Sequence, residues 1–182
     1  MKLLFSLALA TALAWTLPAQ AQQKVRLLTS LGAIVVEVDA EKAPKSADNF
    51  LRYAKAGHYD GVIFHRVIEG FMIQTGGYKP DLSEKPTQAP IALEVGRGLS
   101  NVRGSLAMAR TGDPNSATSQ FFINVIDNLR LDSAGGGYAV FGKVVEGMDV
   151  VDQIRAVPTR SSGVHGNLPE KSILIKKATL EK

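Results

Sequence analysis

Between Phe64 and Gly77 the chain reads FHRVIEGFMIQTGG, an apolar run that carries one histidine, one arginine and one glutamine and ends on two glycines. If the run is extended, residues two apart share a face, so Met72 points with Gln74 and Phe64 points with Arg66. In SQFFINV further along, Gln120 points with Phe122, while Phe121 and Ile123 take the opposite, core-facing side. Brought together, these residues would make a groove of apolar and amide side chains with a guanidinium in it. Such a groove holds no nucleophile and no general acid or base, so it suits a reaction in which no covalent bond breaks. The other reading is a plain hairpin whose Arg66 and Gln74 merely solvate an outer face. On these residues alone both readings stand.

Other chemistries are weaker fits. There are three histidines, His58, His65 and His165. His65 and Glu69 are four apart, a spacing that aligns ligands on a helix but not on a strand. No metal site is expected, and His65 is read as a hydrogen-bonded structural histidine. The absence of cysteine excludes disulfides, zinc–thiolate sites and a Cys nucleophile. GYAVFGKV (Gly137–Val144) has the Gly-x4-Gly-Lys spacing of a phosphate loop, but Val144 stands where a Ser or Thr should reach magnesium, and the segment reads as a strand. GLSNV places a serine as in a nucleophile elbow, but Val102 replaces the closing glycine. Lys and Arg are scattered, so no nucleic-acid footprint is present.

The elements that must position the groove follow from the patterning. Met1-Lys2, an apolar run over 3–17 and the small residues Ala19 and Ala21 give the form of a secretory signal cleaved after Ala21. The run is shorter than the roughly 18 residues of a spanning helix, so no membrane association is expected after cleavage. The 182 residues less 21 leave 161, enough for one domain, 22–182, with a sizeable core. Losing Lys2 leaves 20 basic against 17 acidic residues, a charge of about +3. Export without disulfides suggests a bacterial periplasm.

Lys24–Asp39 reads as two strands about a turn at Ser30–Gly32. Ala47, Phe50, Leu51 and Ala54 recur at helical spacing, with Pro44 in the first turn and Gly57 at the C-cap. GVIFHRVIEGFMIQTGG reads as strand, turn at Glu69-Gly70 and strand. GSLAMAR, SQFFINV, YAVFGKVV and SILIKKATL are further strands, GMDVVDQIRAV is a second short helix, and 78–90 is a proline-rich loop. Short β runs without a βαβ rhythm predict an antiparallel barrel or sandwich, and closure would remove sheet edges in an exported monomer.

Cis/trans isomerisation about X–Pro is a reaction of the required kind. Its barrier, about 18–20 kcal/mol, is amide resonance, and no bond is broken. In the twisted transition state the prolyl nitrogen is pyramidal and more basic. A guanidinium aimed at it binds that state better than the planar one.

The motifs HYDGVIFHRVIEGFMIQTGG, GSLAMAR, ATSQFFINV, LD and YAVFGKVVEGMDVVDQI occur here in the order found in one family. Over about Val25–Leu180 the chain resembles the cyclophilin-type peptidyl-prolyl cis/trans isomerases, and among them the exported bacterial branch. The resemblance implies a mainly β fold, a closed eight-stranded antiparallel barrel capped by two helices. It implies Arg66 as the catalytic arginine and a proline pocket of Phe71, Met72, Phe122 and Leu131. It gives Gln74 the task of orienting Arg66, the backbone at Ala109 and Arg110 that of binding the residue before proline, and Gln120 that of shaping the adjoining pocket. No cofactor or metal is implied. The expected partners are proline-containing unfolded or partly folded polypeptides.

Three positions depart from the eukaryotic pattern. Arg130 stands where a Trp helps bind cyclosporin, so weak cyclosporin binding is expected. Tyr138 stands for a His and can still wall the pocket. Arg110 stands for an Asn, and its side chain would favour acidic substrate residues unless only the backbone binds. The glycine-rich loop LRLDSAGGGYAV is expected to leave Arg130 and Tyr138 mobile. A peptide-binding periplasmic chaperone with incidental isomerase activity is the alternative function.

Overall fold

Val, Ile and Leu alternating with charged residues form β1 (Lys24–Thr29) and β2 (Ala33–Val38), joined where the turn was expected. The computed structural model describes residues 23–181, so the expected signal segment and its cleavage point after Ala21 lie outside the described residues. Helix α1 (Pro44–Lys55) starts with Pro44 in its first turn, where the missing N–H costs nothing. It buries the stripe Ala47, Phe50, Leu51 and Ala54. Phe50 seats the helix on the sheet, its ring 5.2 Å from that of Phe121 and 5.3 Å from that of Phe141. Helix α2 (Met148–Arg155) buries Val150, Val151 and Ile154.

The remaining strands are β3 (Arg66–Ile68), β4 (Met72–Thr75), β5 (Ser105–Met108), β6 (Phe121–Asn124), β7 (Val140–Glu146), β8 (Thr159–Ser162), β9 (His165–Pro169) and β10 (Ile175–Leu180). Eight of them form one antiparallel sheet in the order β10-β1-β2-β7-β5-β6-β4-β3. The sheet curls into a half-barrel. The expected closed barrel is not seen as a continuous ladder: β10 and β3 stand at opposite ends of the order. The ends meet through an isolated bridge, Ile63 to Leu174. There Phe64 N–H donates to the Ile173 carbonyl (2.9 Å) and Ile175 N–H to that of Val62 (2.8 Å). Strands β8 and β9 form a separate hairpin that the sequence patterning did not reveal.

The opening run is extended over a shorter stretch than its pattern suggests. β3 begins only at Arg66. Phe64, outside the ladder, turns fully into the main core, whereas Arg66 is exposed. The expectation that Phe64 and Arg66 share a face is therefore corrected: period-2 alternation applies only once the strand has started.

Cross-strand register carries the fold to the site. Arg66 on β3 lies opposite Gln74 on β4, Gln74 opposite Phe122 on β6, Phe122 opposite Ala107 on β5, and Ala107 opposite Val140 on β7. Directly opposed residues share a face at about 5 Å between Cβ atoms, so one row crosses five strands. Its apolar members belong to a second buried cluster of Met72, Ala107, Phe122, Leu131 and Val140, separate from the main core that takes Phe121 and Ile123.

Candidate active site

Along this row the sheet's outer face forms a cleft of about 180 Å³, lined by Arg66, Phe71, Met72, Gln74, Ala109, Arg110, Phe122, Leu131 and Tyr138. Nine of the ten residues singled out from sequence thus meet at one place. Met72 is 1 % and Phe122 4 % exposed, so they form a floor rather than a rim. Arg66 stands exposed at the edge. The tenth residue, Gln120, lies in an adjoining cavity that also borders Arg66 and Gln74.

Gln74 is tied to Gln120 as well as paired with Arg66. Its Nε2 donates to Gln120 Oε1 at 2.9 Å, and across the β3–β4 pair it lies directly opposite Arg66. Gln120 is placed by the two glycines that close the run. A Cβ on Gly76, whose φ is +97°, would lie 2.6 Å from the Ser119 carbonyl oxygen. One on Gly77 would lie 2.7 Å from Gln120 Nε2. At Gly76 glycine is needed because two backbones pass in near contact, whereas at Gly77 the added atom would meet the Gln120 side chain. The Ala109 N–H is already given to the Gln120 carbonyl at 3.0 Å, so it is not the donor offered to a bound peptide.

The far wall is built by groups that sequence reasoning missed or misread. Arg110 is committed to the protein itself. Its guanidinium donates to the carbonyls of Gly137 (Nε, 3.1 Å; Nη2, 2.9 Å), Gly135 (2.7 Å) and Thr111 (3.0 Å), and its Cζ sits 4.3 Å from the centre of the Tyr138 ring. The glycine-rich loop expected to be loose is thus clasped by a charged side chain, and Arg110 is not free to select acidic substrates. Tyr138 in turn meets Phe122 edge-on at 5.9 Å, while the Arg130 guanidinium lies 5.6 Å from the Phe71 ring centre.

Beneath the wall three buried asparagines form a chain. Asn128 Nδ2 donates to the Phe71 carbonyl and to Asn124 Oδ1, both at 2.8 Å. Asn124 Nδ2 donates to Asn101 Oδ1 (3.1 Å) and Ser105 Oγ (2.9 Å). Asn101 Nδ2 reaches Asp132 Oδ1 (2.8 Å) and the Tyr138 carbonyl (3.2 Å). The network ties the backbones that carry Phe71, Leu131 and Tyr138. Each amide finds partners, as buried polar groups must, but Asn101 beside Ser100 and Asn128 beside Asp127 gave no sequence sign of burial.

His65 is 4 % exposed and its Nδ1 has no hydrogen-bond partner, so it is buried as expected but less fully bonded. Burial foremost, then the nearby His165 and Arg66 charges, lower its pKa to about 4. It is neutral near pH 7, which removes it as a cationic competitor of Arg66. No group of three or more His, Asp or Glu among the described residues is disposed to hold a metal.

The cleft thus combines a barely exposed apolar floor with the exposed Arg66 at its edge and, among its lining residues, no Ser, Thr or Cys nucleophile. The comparisons with known proteins give the family. The family model for the cyclophilin type peptidyl-prolyl cis-trans isomerases matches residues 24–180. The chain is 53 % identical over 161 residues to peptidyl-prolyl cis-trans isomerase cyp18 of Streptomyces antibioticus, covering 86 % of this chain and 97 % of that one. It is 50 % identical over 157 residues to peptidyl-prolyl cis-trans isomerase B of Escherichia coli, covering 84 % and 96 %. A crystal structure of a cyclophilin type isomerase from Cryptosporidium parvum superposes with a TM-score of 0.75 at 30 % identity, covering 88 % of this chain and 98 % of that one. A second structure of that protein, in the presence of the dipeptide Ala-Pro, gives 0.74 at 29 %. The chain belongs to the cyclophilin family and is a peptidyl-prolyl cis-trans isomerase.

Proposed function

We propose that the enzyme catalyses X–Pro isomerisation through Arg66, without a covalent intermediate. A proline ring seats on Met72, Phe122 and Leu131, walled by Phe71 and Tyr138. The Arg66 guanidinium donates to the prolyl nitrogen as the amide twists and resonance is lost. The ground-state nitrogen is a poor acceptor and the twisted one a good acceptor, so the interaction is selective for the transition state. Gln74 and Gln120, joined by their hydrogen bond, form a polar shelf beside Arg66 for the neighbouring peptide groups. The observation that carries this reading is the single row Arg66–Gln74–Phe122, in which an exposed guanidinium borders the apolar floor. In a refolding reaction limited by proline isomerisation, Arg66→Ala is expected to lose most of the acceleration. Wild-type acceleration by that variant would overturn the mechanism.

The physiological setting we infer is the folding of exported, proline-containing polypeptides in a bacterial periplasm, by a monomer, after cleavage behind Ala21. The form of the first 21 residues and the lack of cysteine support this. N-terminal sequencing of protein from a periplasmic fraction tests it: a chain beginning at Gln22 is expected, and an intact Met1 in the cytosol would contradict it. We also read the curled sheet as a barrel closed at the Ile63–Leu174 bridge, with slow amide exchange at Phe64 and Ile175 as the expected mark. Cyclosporin is expected to bind weakly, because Arg130 offers no indole donor; tight inhibition would refute that argument.

A further inference from the structure

Beyond Arg66 and Gln74 the cleft continues into a larger cavity, about 430 Å³, which the same two residues border from the other side. Its floor is His65 and Gln120, and its outer wall comes from the β8–β9 hairpin, through Val164, His165 and Asn167. Tyr78 completes it. The hairpin belongs to neither end of the main ladder. The prolyl cleft does not need it, yet it turns its side chains toward the cavity.

The chemistry of this cavity is specific. Three rings form a cluster: His65 and Tyr78 at 4.6 Å, Tyr78 and His165 edge-on at 4.8 Å, His65 and His165 at 6.0 Å. Val164 at the hairpin turn is 93 % exposed, an apolar side chain with nothing over it. Among the described residues no carboxylate lines the space, and Arg66 is the one permanently charged group that does. His65 is neutral at physiological pH. Ring faces and edges with an apolar flap and two amides suit an aromatic side chain, whose face and edge carry opposite partial charge. They suit a carboxylate poorly, since Arg66 is directed to the prolyl nitrogen.

We propose that this cavity is a second subsite, which takes an aromatic side chain of the same peptide one to three residues from the proline. The inference rests on the reading of the first cleft as the prolyl site. Continuity supplies the reach, since an extended peptide advances about 3.3 Å per residue and the two spaces share a wall. The occupant is therefore part of the substrate rather than a separate ligand.

The test uses short X-Pro peptides carrying Phe, Glu or Ala at each of the three positions on either side of the proline, with isomerisation followed by NMR exchange. At one or two positions on one side, Phe is expected to raise kcat/KM about tenfold over Ala, mainly through KM. His165→Ala and Val164→Ser should bring that ratio close to one. Val164 is so exposed that its variant tests the site without risk to the fold. Equal rates for Phe and Ala at every position, a preference for Glu, or an unchanged ratio in both variants would each overturn the subsite. Failure of the underlying reading looks different: the alanine peptides would then show no Arg66-dependent acceleration at all.

Discussion

Replacing Asn124 by alanine removes the centre of the amide chain behind the site. Asn124 is fully buried and makes three side-chain hydrogen bonds, to Asn101, Ser105 and Asn128. At about 1 kcal/mol net each, their loss costs about 3 kcal/mol. Asn101 Oδ1 is then left buried without its donor, which brings the total to about 4 kcal/mol. In a domain of this size each kcal/mol lowers the melting midpoint by about 2–4 °C, so differential scanning calorimetry should show a fall of about 8–16 °C. Asn128 still holds the Phe71 carbonyl and Arg66 is untouched, so kcat/KM measured well below the midpoint should fall less than about tenfold. A midpoint within about 2 °C of wild type would refute the view that this network carries the wall.

Arg110→Ala unclasps the loop 134–137 and strips the cation from the Tyr138 face; amide exchange there should quicken and KM for an X-Pro peptide rise several-fold, with kcat little changed. Arg110→Lys, which lacks the planar fork, should not restore it. Gly76→Ala forces a Cβ to 2.6 Å from a backbone oxygen at positive φ, and should cost several kcal/mol in urea unfolding. His65 gives an acid sensitivity. Its native pKa, about 4, lies below the ordinary 6.5, so the unfolded chain binds the extra proton between those values. Stability is full above about pH 6.5 and falls by about 3 kcal/mol toward pH 4. His58, lowered chiefly by burial, acts in the same direction. His65→Gln should flatten this slope in denaturation followed from about pH 7 to 4.5.

The elements that place the site were largely legible because period-2 patterning is local. Met72 with Gln74 and Phe121 with Ile123 follow from counting residues, and the stripe from Ala47 to Ala54 marks α1 directly. Where the chain departs from the period, counting fails, as at Phe64, which turns inward before β3 begins. The β8–β9 hairpin escaped notice because TRSSGVHGNLP is polar and glycine-broken, with no apolar face to alternate. For Arg110 the sequence left two readings open, a side chain that selects acidic residues or a backbone contact alone. A charged side chain beside a cleft looks available to a ligand, and only the folded loop shows that its donors are already taken. The asparagine chain joins Asn101 to Asn124 and Asn128 across the fold, so the sequence showed neither its burial nor its partners.

The most direct measurement separates binding from chemistry at Arg66. Two-dimensional NMR exchange on an X-Pro peptide with wild type, Arg66→Ala and Arg66→Lys gives the bound interconversion rate and the dissociation constant together. Arg66 is exposed, so the fold should survive. A preorganised donor aimed at developing basicity is worth about 10²–10³ in rate. The account predicts such a loss in bound interconversion for Arg66→Ala, a partial loss for Arg66→Lys, and peptide affinity within a few-fold of wild type. Undiminished interconversion on the alanine variant, or a loss entirely in affinity, would contradict it.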